Sequence, residues 1–308
     1  MKFSVIIPFK NSESTLSKCI QSITSQTYNQ EDYEIICVDN ASTDSSKDII
    51  DKFIKRYPKL IKVITSNANT VSGVRNDGAA VAKGEFLAFL DSDCVAPTWW
   101  LQHAVHVINK IKNVGALGGF GKYCRDDNFL MQIWNRNVKP KSSGYIDWLP
   151  ACDFFIDKEL FLRVGGFSED IITSEDVDIC MKVITNGKAI FYDVELDVIH
   201  LGEPKSLWEF FKKEFWRGKG VLPLCIKYRC KVGMKPILLA CYSLIYVLGL
   251  LGCLFLKPYL FVFWLIVGFL PFLLLGIKKG NSFKEKIQLG FLYFVYGLAR
   301  GLAIFVRS

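Results

Sequence analysis

Two uncharged runs of 20 residues, Ile237–Leu256 and Pro258–Ile277, constrain this chain more than any other feature. Each matches the ~20 apolar residues needed to cross a hydrocarbon core ~30 Å thick. In that medium a backbone must bond its own N–H and C=O groups, so each run is expected to be a helix. Lys257–Pro258 between them reads as a tight turn. Nine Lys or Arg against three Glu fall within Leu201–Pro236, and Lys278, Lys279, Lys284 and Lys286 follow the second run. The positive-inside rule puts both flanks in the cytoplasm, which makes the pair a hairpin. A third apolar stretch, Ile287–Val306, contains Arg300, which costs at least ~2.5 kcal/mol at a membrane centre. It either spans with Arg300 facing a partner or lies along the surface.

The net charge of +8 is concentrated in that basic window. Beside apolar runs, such a window suits an anionic membrane surface, and no nucleic-acid-binding motif is visible. Within it, Ser206–Arg217 reads as an amphipathic helix with Leu207, Trp208, Phe211 and Phe215 on one side and lysines flanking them. That is the pattern of a helix lying in the membrane interface. The ten cysteines are scattered without a Cys-x-x-Cys spacing. They read as small buried hydrophobes in a reducing compartment. Only Phe3–Phe9 is apolar before Lys10, too short for a secretory signal, so the N-terminal part is expected in the cytoplasm.

Ahead of the basic window, strand and helix patterns alternate. Strands are expected at residues 2–9, 34–38, 60–65 and 86–90. Between them lie a helix capped by Asn11 or Ser12 (Leu16, Cys19, Ile20 and Ile23 on one face), one carrying Ile49, Ile50, Phe53 and Ile54, and one over Gly73–Ala82. This alternation implies an α/β fold with a mostly parallel sheet covered on both faces. Residues 98–200 are less regular. Helices are expected near 99–111, 158–164 and 174–185, and strands at 154–156 and 190–192, with an aromatic and glycine-rich stretch reaching Pro150.

The strand Phe86–Leu90 ends abruptly in Asp91-Ser-Asp93. Ligands collect at the carboxyl ends of strands in such sheets. Two aspartates one residue apart there either hold a hard divalent cation or form an Asx-type turn with solvated carboxylates.

Several further segments carry a resemblance. Ser4-Val-Ile-Ile-Pro-Phe-Lys-Asn11, Glu34-Ile-Ile-Cys-Val-Asp-Asn-Ala-Ser-Thr-Asp44, Arg75-Asn-Asp-Gly78, Asp91-Ser-Asp93, Val164-Gly-Gly-Phe167 and Ser174-Glu-Asp176 follow one another as the motifs of the family 2 glycosyltransferases do. Over residues 3–202 the chain resembles that family, which implies a GT-A (Rossmann-like) nucleotide-sugar domain with a mixed sheet. The resemblance implies donor contacts at Pro8, Asn11, Asp39, Arg75 and Asp91. It implies metal ligation by Asp93, with Asp91 and His200, of Mg²⁺ or Mn²⁺, since both suit carboxylates. It makes Asp176 the base that takes the acceptor's proton, with Glu175 orienting the acceptor, and it implies inversion at the anomeric carbon. Both carboxylates also suit the first turn of a helix. His103 and His106, at i, i+3 without a third ligand, read as structural. Phe215-Trp-Arg-Gly218 sits where processive relatives carry Gln-x-x-Arg-Trp. Trp216 and Arg217 are candidates for acceptor or membrane contact, and the missing Gln argues against processive synthesis.

The expected organisation is a catalytic domain over 1–204, a basic amphipathic linker over 205–236 and a membrane region over 237–308. The expected partners are a nucleotide-sugar donor, UDP by default, a lipid-linked or surface-glycan acceptor, and the cytoplasmic membrane. A polyprenyl-phosphate acceptor and an inactive nucleotide-sugar-binding scaffold are the competing readings.

Overall fold

The structure, a computed structural model, describes residues 2–122, 129–253 and 258–306. Lys257, the expected turn, lies outside them. In chain order β1 (Phe3–Phe9), α1 (Leu16–Thr24), β2 (Tyr33–Asp39), α2 (Ser46–Arg56), β3 (Ile61–Thr65), α3 (Val71–Ala80) and β4 (Phe86–Leu90) form the alternating part. Then come β5 (Cys94–Val95), α4 (Trp100–Lys110), β6 (Val114–Gly118), α5 (Phe129–Val138), β7 (Gly144–Ile146) and β8 (Asp153–Asp157). After these follow α6 (Lys158–Arg163), α7 (Glu175–Thr185), β9 (Ala189–Tyr192) and β10 (Ile199–His200). Five helices close the chain: α8 (Leu207–Gly218), α9 (Val221–Lys227), α10 (Met234–Cys253), α11 (Pro258–Lys279) and α12 (Phe283–Ala303). Two compact units result: residues 1–125, 140–170 and 175–203, and residues 126–139, 171–174 and 204–308.

The first unit is built on one mixed sheet of order β3-β2-β1-β4-β8-β6-β9-β7. The first four strands are mutually parallel, β8 runs antiparallel to β4 and β6, and β7 runs antiparallel to β9. Each strand splits its residues between two cores by the period of two that pleating imposes. Phe3, Val5 and Ile7 of β1 join Leu16 and Ile20 of α1, Ile50 of α2 and Trp100 of α4. Ile6 joins Val74 of α3, Phe161 of α6 and Ile179 of α7 on the other face. Successive connections thus change face between β1 and β4, which makes that gap the topological switch point where such sheets bind ligands.

Pro8 keeps the gap open. The β1–β2 ladder runs through Phe9↔Asp39, whereas β1–β4 pairing stops at Ile6↔Phe89. Pro8 has no N–H with which to continue it.

The cap of α1 differs from expectation. Thr15 holds the N-cap position without a side-chain bond, and Ser12 C=O accepts from Thr15 and Leu16 N–H instead. Asn11 adopts φ 49°, a conformation Asn tolerates. Its Oδ1 accepts from Thr43 N–H at 2.8 Å.

The second unit is helical. Trp134 of α5 packs its ring against Phe210 of α8 and Tyr293 and Tyr296 of α12, with centroids 5.1, 5.2 and 5.3 Å away. Glycines bring α12 close to its neighbours: a Cβ on Gly297 would meet Ser243 Oγ of α10 at 2.1 Å, and one on Gly290 would meet the Leu273 backbone of α11 at 3.1 Å. Arg300 has a partner in Glu214 of α8, at 2.8 Å from Nη2. Glu214 is 1% exposed and also receives Arg217 at 2.7 Å. Helices α10 and α11 are long and apolar enough to cross a membrane. Many of their large side chains are exposed, among them Leu238, Leu248, Phe263 and Ile266.

Candidate active site

The carboxyl end of β4 gathers the charges. Asp91 closes a turn in which Cys94 N–H donates to Asp91 C=O at 2.9 Å, so Asp93 stands at its crest. The two-residue strands β5 and β10 pair antiparallel with Cys94 opposite His200, and Leu201 N–H donates to Asp93 C=O at 2.8 Å. One ligand atom from each of Asp91, Asp93 and His200 lies within 4.8 Å of the others. His200 stands between two carboxylates: Nε2 is 3.6 Å from Asp93 Oδ1, and Nδ1 is 3.5 Å from Glu203 Oε1. Nδ1 is buried without a hydrogen bond. Two carboxylates suit Mg²⁺ or Mn²⁺, and Nε2 of His200 lies on the Asp93 side as a third ligand atom. The residues therefore fit a divalent metal.

Arg75 of α3 is only 3% exposed and has both guanidinium arms committed. Nη2 donates to Asp91 Oδ1 at 2.7 Å and Nη1 to Glu175 Oε1 at 2.9 Å. The Phe167 ring lies 5.5 Å from its Cζ. Burial pulls the guanidinium pKa down, but Asp91 and Glu175 outweigh it and raise the pKa, so the group stays charged. The resemblance implies that Arg75 contacts the donor; in this structure its two arms join carboxylates from different elements. The rest of its motif is equally physical. Asn76 locks the glycine turn, giving Nδ2 to Phe167 C=O at 2.9 Å and taking Phe167 N–H on Oδ1 at 3.0 Å. Gly165 and Gly166 of that turn have φ 80° and 61°, the region that favours glycine. A Cβ on Gly78 would strike Ile6 Cγ2 at 2.5 Å, so glycine lets α3 sit close on β1.

Asp39 ends β2, with Oδ1 accepting from Ser42 N–H at 2.9 Å and Oδ2 3.4 Å from Lys47 Nζ. Oδ2 is buried and makes no hydrogen bond. Asp176 lies in the first turn of α7, where its Oδ1 accepts from Val177 N–H at 2.8 Å. Trp216, 48% exposed, and Arg217 belong to the helical unit. His103 faces Asp193 at 3.3 Å.

Three contributors were not anticipated. Glu203 flanks His200, and nothing in its spacing marked it. Ser92 meets Ser12 Oγ at 3.0 Å and ties the β4 turn to the loop after β1. Asp153, fully buried, starts β8 opposite Leu90 and accepts from Trp100 Nε1 at 3.0 Å. Burial pushes its carboxyl well above the ordinary range; the Trp100 bond pulls the other way, and Asp197 adds to the rise. A separate cavity of about 280 Å³ near Phe86, Ile108 and Arg163 touches the opposite end of β4 from this chemistry.

Known proteins similar to this chain are glycosyltransferases. The archaeal glycosyltransferase AglE of Haloferax volcanii is 27% identical over 277 residues, covering 87% of this chain and 81% of its own. WfaP of Escherichia coli, a UDP-Glc:alpha-D-GlcNAc-diphosphoundecaprenol beta-1,3-glucosyltransferase, is 27% identical over 60% of this chain and 70% of its own. Among solved structures, the mannosyltransferase PcManGT of Pyrobaculum calidifontis, in complex with GDP-Man and Mn²⁺, superposes with a TM-score of 0.68 at 18% identity. It covers 98% of this chain and 86% of that one. S. aureus TarS in complex with UDP gives a TM-score of 0.54 at 22% identity over 72% of this chain and 66% of that one. These likenesses support the GT-A fold. The model of glycosyl transferase family 2 matches residues 4–169, more than half of the sequence. The chain therefore belongs to glycosyl transferase family 2 and is a glycosyltransferase.

Proposed function

We propose that the chain is a metal-dependent, inverting glycosyltransferase that moves a sugar from a nucleotide-sugar, UDP-linked by default, to a hydroxyl of a lipid-linked or cell-surface glycan at the cytoplasmic membrane face. The observation that carries this reading is the convergence of Asp91, Asp93 and His200 within 4.8 Å at the switch point of the sheet. Asp91, Asp93 and His200 would hold a divalent ion, which would supply Lewis-acid stabilisation of the departing diphosphate. The chain's own residues do the rest. Asp39 offers its unbonded Oδ2 to a donor hydroxyl or base N–H. Pro8 and Asn11 shape the donor side of the cleft. Arg75 fixes Glu175, which orients the acceptor, and Asp176 takes the acceptor's proton as its oxygen attacks. One displacement assisted by one base inverts the anomeric carbon.

The apolar helices α10 and α11 and the basic stretch before them support membrane attachment with the catalytic domain (residues 1–204) in the cytoplasm. Trp216 and its exposed neighbours on α8 suit the interface. The lipid-diphosphate acceptor in the name of WfaP supports an acceptor of the same class.

The test is nucleotide release by the purified full chain in detergent, across a panel of sugar nucleotides with Mn²⁺, Mg²⁺ or chelator. Release from one donor that needs the ion and disappears in Asp93→Ala is expected. Undiminished release in chelator, or in Asp93→Ala, would sink the metal-dependent reading.

A further inference from the structure

His200 belongs to a second group of ligands besides the aspartates. A ring nitrogen of His200 and the sulfurs of Cys94 and Cys152 also lie within 4.8 Å of one another. Cys94 is fully buried and Cys152 is 9% exposed. The Cys94 thiol donates to Asp93 Oδ1 at 3.9 Å. Backbone pairing holds all three in place: Cys94 is opposite His200 in the β5–β10 pair, and Asp91 N–H donates to Cys152 C=O at 3.4 Å. The sulfurs therefore sit under the turn that carries Asp91 and Asp93.

We propose that Cys94, Cys152 and His200 form a binding site for a thiophilic divalent cation of the Zn²⁺ class, and that filling it withdraws His200 from Asp91 and Asp93. A tetrahedral Zn²⁺ with Zn–S of ~2.3 Å and Zn–N of ~2.0–2.1 Å sets its ligand atoms under ~4 Å apart. The 4.8 Å bound on this cluster exceeds that spacing by about 1 Å. Two thiolates and an imidazole select Zn²⁺ or Cd²⁺, whereas carboxylates suit Mg²⁺ and Mn²⁺. Binding releases the two thiol protons to solvent and leaves a fourth position for water. Because one imidazole completes both groups, a soft ion opposes the hard one without touching the donor cleft. The binding claim stands on the sulfur geometry alone; the inhibition claim rests on the role proposed for His200 above.

The probe is Cd²⁺, whose bonds to thiolate absorb in the near ultraviolet. The full chain in detergent is titrated with Cd²⁺ as wild type and as Cys152→Ser, and the difference between the two isolates this site from other thiols, such as Cys225 and Cys230. One equivalent more of Cd²⁺-thiolate absorption in the wild type is expected, displaced by Zn²⁺ and unaffected by Mn²⁺. Equal absorption in the two proteins overturns the site. Should Cys152→Ser lose its thermal transition, Cys94→Ala is titrated in its place with the same criterion. For the second claim, nucleotide release in Mn²⁺ is measured against added Zn²⁺. The variant should need at least ~10-fold more Zn²⁺ for half inhibition, as expected when a metal site is disrupted. Equal sensitivity overturns the withdrawal of His200 and leaves the binding result intact. If neither protein releases nucleotide from any donor, the proposed function fails while the Cd²⁺ titration still decides the site.

Discussion

Replacing Arg75 by lysine keeps a positive charge at the centre of the site and removes the fork that delivers it. The guanidinium spans Asp91 at 2.7 Å and Glu175 at 2.9 Å; one ammonium reaches only one of them. A hydrogen bond to a charged group contributes ~1.5–3 kcal/mol. Asp91 is 30% exposed at its side chain and Glu175 12%, so water recovers part of the loss if Asp91 is released and less if Glu175 is. We take ~2 kcal/mol for Arg75→Lys, and ~3–5 kcal/mol for Arg75→Met, which leaves two carboxylates with no cation. For a unit of this size each kcal/mol moves the melting temperature by ~2–4 °C, so Arg75→Lys should melt ~4–8 °C lower. Differential scanning fluorimetry of the full chain in detergent reads this directly. Turnover should fall ~10²-fold, because displaced carboxylates no longer hold the reacting groups in line. A variant with the wild-type melting temperature and only a raised KM for the donor would refute the reasoning. It would support Arg75 as a diphosphate ligand.

Other perturbations follow from the same geometry. Asp176→Asn should lower transfer ~10²–10⁴-fold, the range of a lost general base, with nucleotide binding by calorimetry unchanged; retained transfer would move the base elsewhere. Asp153 has a folded-state pKa raised by burial. Its unfolded form ionises above ~3.9 while the native form stays protonated, so its contribution to stability falls as pH rises from there to the raised value. Asp153→Asn should flatten that decline in thermal melts, and an unchanged profile would show that Asp153 is ionised in the fold. Glu214 runs the other way: burial raises its pKa, but Arg300 and Arg217 outweigh it and lower it. Its contribution is full above the ordinary carboxylate range and is lost as pH falls through the depressed value. Glu214→Ala should destabilise the helical unit by ~3–5 kcal/mol, since Arg300 loses its buried partner; a wild-type melt would discount the pair.

The alternating half of the fold was legible because each of its signals is local. The strand over Phe86–Leu90 and its carboxylate edge, the helix faces through Leu16–Ile23 and Ile49–Ile54, and the long apolar helices all follow from runs or periods within one segment. What failed depended on distant partners. Val114–Gly118 is strand β6, yet its glycines hide β-propensity; a Cβ on Gly118 would strike Asp153 C=O at 2.1 Å, so close strand approach selects that residue. The pair β5–β10 is two residues long and exists only because residues far apart in sequence meet. At the site, Asp91 and Asp93 stand out at a strand end, while Glu175 and His200 come from the family resemblance. That Arg75 joins two of them, and that Cys94 and Cys152 reach His200, is a property of tertiary packing with no periodicity to read.

Pro8 has a thermodynamic meaning for whatever enters the cleft. A sheet whose neighbouring strands carried full donor sets would tend to zip toward its ends, and a ligand would then have to break backbone bonds on entry. With the next donor missing on the β4 side, the free protein has no closed state of that kind to leave. The opening is already present before the ligand arrives, so binding free energy is not spent on prying strands apart. Replacing Pro8 by a residue with an N–H would restore that competing closure, and donor affinity would then measure the difference.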